Sequence, residues 1–216
     1  MKMRRVVAGM ATGALVLVMG PAMATGNSYT VAVGGSDATA DHAFTATSTG
    51  DFTWRWEKPD GSFLTWPCRS ATVPASPASY AHSGSSRTDL LTINKFFLSS
   101  CPGPGGELPA AASGSWRLHG TSPATPASND VVKVQLENIS ITWSNAICRW
   151  TVSGGADGTF DETTQRITFN EQADGTGQSL TVTGVVGCLG QWKNGGKAKL
   201  EGTLQLTSPD GPINLR

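Results

Sequence analysis

A serine hydrolase needs a nucleophile, an imidazole within hydrogen-bond reach of it and a carboxylate to orient the ring. The chain offers His82, in Tyr80-Ala81-His82-Ser83, and Ser153 ahead of Gly154-Gly155. The setting is wrong for that chemistry: Val152 stands where a protease of the trypsin type has aspartate, and no G-x-S-x-G elbow occurs. His82 also falls in a stretch of low complexity that reads as loop, where nothing would hold it against a nucleophile, so it is expected as a solvated histidine. His42 and His119 stand singly near polar turns, without the H-x-H or H-E-x-x-H spacing that gathers zinc.

Asp157, Asp161, Glu162, Glu171 and Asp174 fall within eighteen residues of glycine-rich sequence. Hard oxygen ligands on flexible loops suit calcium, and a carboxylate pair suits a glycosidase. No D-x-D-x-D-G register is present, so the expectation is solvated turns, with no bound metal and no cofactor. The tryptophans are the stronger lead. Trp54 and Trp56 share a strand face with Phe52, and Trp66 lies on the strand expected to return beside it. Three indoles on one hairpin could stack on sugar rings. Burial competes with that reading: the first half has few other large apolar residues, and hiding one stabilises by roughly 1.5–3 kcal/mol. Trp116, Trp143, Trp150 and Trp192 are expected in core or turn packing.

The elements that would position these residues are strands. Apolar residues nowhere hold the i, i+3, i+4, i+7 spacing of a helix for more than a turn, whereas alternation is common. Phe52, Trp54 and Trp56 lead to Lys58-Pro59-Asp60-Gly61, a turn signal, and Leu64, Trp66 and Cys68 return, which predicts a hairpin. From Cys68 to Thr88 the chain is dominated by proline, alanine, serine and threonine and is expected to be a long exposed loop. Val132, Val134 and Leu136 share one parity and Ile139, Ile141 and Trp143 the other, so a one-residue shift near Glu137 and Asn138 would set all six on one face. A β-bulge is predicted there.

Residues 91–103, LTINKFFLSSCPG, and 180–190, LTVTGVVGCLG, repeat one pattern: alternating residues that end in a cysteine with glycine within two positions. In both, the cysteine shares parity with the apolar residues and so points into the core. Of the three pairings that four cysteines allow, the repeat selects Cys68 with Cys101 and Cys148 with Cys188. The chain then divides into a first β half at 25–120, a proline-, serine- and threonine-rich linker at 121–130 and a second β half at 131–216. The architecture expected is an all-β antiparallel sandwich, its two related halves a candidate duplication, each with one disulfide.

Residues 1–24 read as a secretory signal peptide: Lys2, Arg4 and Arg5 precede an apolar run, and Ala22-Met23-Ala24 is an A-x-A cleavage site. Its removal takes three of the 16 basic residues and none of the 16 acidic ones, which leaves a net charge of about −3. With neither sign clustered, nucleic acid and anionic membrane surfaces are disfavoured as partners. No later stretch is apolar enough to make a membrane span in the mature chain.

The export signal, the alternating strands, Cys-Pro-Gly-Pro-Gly-Gly followed by Gly-Ser-Trp-Arg-Leu, and Val-Thr-Gly-Val-Val-Gly-Cys-Leu-Gly followed by an Asn-Gly-Gly turn together resemble a group of uncharacterised small secreted proteins of high-GC Gram-positive (actinobacterial) bacteria. The resemblance covers nearly the whole mature chain and implies an all-β framework with two cysteine pairs, without an established activity or functional residue. The expectation is therefore a secreted, non-enzymatic, extracellular binding or structural module, its ligand a cell-wall glycan or a protein. The alternatives are a carbohydrate-binding module using Trp54, Trp56 and Trp66, and a hydrolase using the loop carboxylates.

Overall fold

The computed structural model describes residues 27–125, 130–170 and 180–216. The first part of the chain forms β1 (Tyr29–Val33), β2 (Ala40–Ser48), β3 (Phe52–Glu57), β4 (Phe63–Cys68), β5 (Ser70–Val73) and β6 (Ser79–Arg87), then β7 (Asp89–Ile93), β8 (Phe97–Ser99), β9 (Pro102–Gly103), β10 (Gly106–Glu107), β11 (Ala110–Ala112) and β12 (Trp116–Gly120). The second part forms β13 (Val131–Ser144), β14 (Cys148–Asp161), β15 (Arg166–Asn170), β16 (Leu180–Gly187), a 3-10 turn at Cys188–Gly190, β17 (Lys197–Thr207) and β18 (Ile213–Leu215). The fold is all-β, and every pairing is antiparallel.

Hydrogen bonding runs β2–β6–β7–β12–β13–β14–β15–β17 and returns to β2, so the ladder closes on itself. β2 makes both ends of that closure: residues 40–44 pair with β6 and residues 45–48 with β17. Strands of the first half pair with strands of the second at β11–β13, β12–β13, β17–β2, β17–β3 and β1–β18. One buried cluster draws on both. Residues 126–129 of the expected linker and all of the expected signal segment lie outside the described residues.

The ladder of β13 and β14 shifts register between Leu136 and Ile139, where Asn138 has φ 60°. Val132, Val134, Leu136, Ile139, Ile141 and Trp143 are consequently all buried, as the parity change predicts. Both disulfides form as expected, Cys68 with Cys101 and Cys148 with Cys188, and all four cysteines are buried. Each ties the strand that follows its first cysteine to the strand that precedes its second, β5 to β8 and β14 to β16.

The loop expected from Cys68 to Thr88 is corrected: that stretch supplies β5 and β6, with Ser79, Ala81 and Ser83 fully buried. The serine hydroxyls are hidden by satisfying them. Ser79 Oγ accepts the Asn94 amide at 3.0 Å, and Ser83 Oγ donates to the Ala38 carbonyl. Alternation is present in β6, but it is written in side chains too small and polar to register as a strand.

At the core, Trp54 stacks on Trp56 with ring centroids 5.5 Å apart, and Trp143 stacks on Trp150 at 5.6 Å. The two pairs cross edge-to-face at 5.0 Å, the arrangement that the indole quadrupole favours. Gly202 of β17 makes room beside this cluster, since a Cβ there would come within 2.4 Å of the Phe52 ring.

Candidate functional site

Burial corrects the three-tryptophan platform. Trp54 and Trp56 are each 1% exposed and present no ring face to a ligand. Trp66 differs because of its strand. Among the described residues β4 pairs only with β3, so it is an edge there, and Trp66, opposite Trp54 in the ladder, packs on one side against Trp192 at 5.7 Å and stays only partly buried. Its Nε1 is buried without a partner, so what Trp66 turns outward is ring carbon.

That outward surface lines a groove of about 400 Å³ together with Thr65, Pro67, Pro102, Leu189 and Gln191. A second recess of similar volume adjoins it across Pro102 and Gly103 and adds Arg69 and Glu107. The groove takes Pro67 beside Cys68, Pro102 beside Cys101 and Leu189 beside Cys188, so it lies over residues adjacent to both disulfides. Ile147, beside Cys148, lies next to Gly105 of the turn between β9 and β10.

The groove is firmly held. Asn145 donates to the Pro104 carbonyl at 2.7 Å, Leu108 N–H to the Cys101 carbonyl at 2.9 Å, and Glu107 accepts the Ser100 amide at 3.0 Å. Cys188 and Leu189 both occupy the left-handed region, at φ 62° and 54°. Two consecutive non-glycine residues in that region store backbone strain, and Leu189 is 73% exposed. Val186 and Ile147 are also exposed, at 66% and 46%.

The histidines are placed differently from expectation. His82 is on β6, not in a loop, with Nδ1 2.7 Å from Asp41 Oδ1 and Nε2 2.7 Å from Thr92 Oγ1. His42 has Nδ1 2.8 Å from Asp210 Oδ2 and Nε2 2.9 Å from Ser83 Oγ. Both have the connectivity of a hydrolase triad. Ser83 is fully buried with its proton on the Ala38 carbonyl, so it is no nucleophile. Thr92 pairs with Tyr80 on one side and Arg117 on the other. Its neighbours' amides therefore lie in the plane of the sheet, and no backbone oxyanion hole can form over its face. His119, between Asp89 at 3.0 Å and Glu137 at 3.2 Å, completes a set of cross-strand staples.

The three described carboxylates are held by separate partners. Asp157 accepts from Gln135 at 3.0 Å, Asp161 accepts the Thr164 amide at 3.0 Å, and Glu162 is 2% exposed with Oε1 accepting Leu215 N–H at 2.8 Å. Glu171 and Asp174 lie outside the described residues. Among the described residues no three metal-ligating side chains gather.

Burial, with Asp130 nearby, pushes the Glu162 carboxyl up to about 7, and its Oε2 has no partner. A carboxyl raised on folding contributes stability that is full below its unfolded value near 4.5 and is lost as pH rises through 7. Stability should therefore fall by about 1–3 kcal/mol between pH 4.5 and 8. Urea unfolding across that range should show the slope, and Glu162→Gln should flatten it.

No known protein family, curated protein or solved structure matches the chain.

Proposed function

We propose that the protein is an exported, non-enzymatic binding module whose ligand is an extracellular carbohydrate held against Trp66. The observation that carries this reading is the groove itself: a partly exposed tryptophan, walled by prolines, with Gln191 and Thr65 beside it and residues adjacent to both disulfides in its lining. Sugars present axial C–H groups to aromatic faces and hydroxyls to amides and hydroxyls around them, so one ring flanked by such groups suits a pyranose. Export is supported by the signal-like residues 1–24 and by two disulfides, which persist in oxidising compartments. Among the described residues no helix is long and apolar enough to cross a membrane. Kinship with secreted actinobacterial proteins belongs to the same proposal.

Intrinsic fluorescence titrated with a broad panel of cell-wall and storage polysaccharides should shift for at least one of them. Trp66→Ala should weaken that binding by tenfold or more and Trp66→Phe by less, with the melting temperature of Trp66→Phe close to that of the parent chain. A flat response across the panel would remove the carbohydrate reading.

A further inference from the structure

A second site lies on the outer face of β6, β7 and β12, where a polar cleft of about 460 Å³ opens. Its lining includes two guanidiniums, Arg87 and Arg117, and four hydroxyls, those of Ser86, Thr88, Thr92 and Ser115. Donors dominate it, and Asp89 is the one carboxylate among its lining residues.

The two arginines are held in different ways. Arg87 donates Nε and Nη2 to the Ser83 carbonyl at 2.9 and 2.7 Å. Those two bonds fix the plane of the fork. Arg117 lies directly across the ladder from Thr92, is 55% exposed, and meets Asp89 Oδ2 at 3.3 Å. Asp89 is shared, because its Oδ1 takes His119 at 3.0 Å. Glu137, across the ladder from Arg117 on its other side, meets His119 at 3.2 Å, and among the described residues no ion pair reaches Arg87. The carboxylate behind His82, that of Asp41, is occupied by the imidazole at 2.7 Å.

We propose that this cleft binds a phosphate group. A fixed guanidinium, a second arginine and surrounding hydroxyls are the donor set that a tetrahedral oxyanion recognises through charge-assisted bonds. The cleft is also much larger than the ~30 Å³ that one water occupies. It therefore has room for an ester carried on a polar molecule as well as for the free ion. The site is separate from the groove at Trp66 and stands whether or not that groove binds sugar.

Isothermal titration at constant ionic strength in chloride, with inorganic phosphate, glucose 6-phosphate and glucose as probes, tests it. Glucose 6-phosphate binding more tightly than inorganic phosphate supports the proposal with a carried ester as the source, and equal affinities support it with the free ion. Arg117→Gln should weaken phosphate binding by about tenfold, Arg117→Lys by less, and Trp66→Phe not at all. No saturable binding of either phosphate, or binding that Arg117→Gln and Arg117→Lys both leave unchanged, would overturn it, as would glucose binding as tightly as glucose 6-phosphate.

Discussion

Removal of the second disulfide, by Cys148→Ala with Cys188→Ala, is expected to lower the unfolding free energy by about 4 kcal/mol on the loop-entropy account. The bond closes a separation of 40 residues, and its Cα atoms are only 4.3 Å apart, so the ends that must be brought together without it are far apart in the unfolded chain. The loss has a local side. Beyond Thr181, β16 makes no pairing with β17, so near its cysteine it rests on β14 alone. Releasing Cys188 also releases the strained Leu189, one wall of the groove. Urea unfolding of the double variant should show a lower midpoint, and any carbohydrate affinity at Trp66 should drop with it. A stability loss below about 1 kcal/mol would show that the β14–β16 ladder holds this end unaided.

Trp143→Ala is expected to cost about 4 kcal/mol, in the range observed for emptying a large aromatic site in a close-packed core. Trp143 is 1% exposed and touches three other indoles, Trp54 and Trp56 edge-on and Trp150 face to face. Its neighbours belong to β3 and β14, whose backbones are fixed by ladders on both sides, so the space cannot readily collapse. Chemical unfolding should give the loss directly. Near-ultraviolet circular dichroism should lose the strong signal expected of stacked indoles, while the far-ultraviolet spectrum keeps its β character. Trp143→Phe should recover part of both.

Much of the framework is legible along the chain because large apolar residues mark it. The bulge at Asn138 is visible as a change of parity among six such residues, the burial of the cysteines as parity shared with apolar neighbours, and their pairing as the repeat of one strand-to-cysteine pattern in each half. β6 is not legible, since Ser79, Ala81 and Ser83 alternate inward without looking hydrophobic. The histidine staples have a signal of their own. Asp41-His42 on β2 lies antiparallel to His82-Ser83 on β6, so each dipeptide places one side chain on each face and two histidine contacts form, one per face. The signal becomes readable only once those strands are known to be neighbours. Trp66 is separated from Trp54 and Trp56 by the position of β4 at an edge, which depends on the order of strands in space and leaves no trace in local pattern. For the same reason no spacing announces that residues adjacent to both disulfides line one groove.

The pairing of β1 with β18 sets Val31 opposite Leu215 and Val33 opposite Ile213, and Thr30 and Arg216 exchange both backbone hydrogen bonds. The first described strand thus cannot complete its ladder until residues 213–216 have been made. The pairing joins segments that lie far apart along the chain, and such long-range pairing predicts slow folding. It also makes removal of residues 213–216 a change that strips β1 of a partner on that edge.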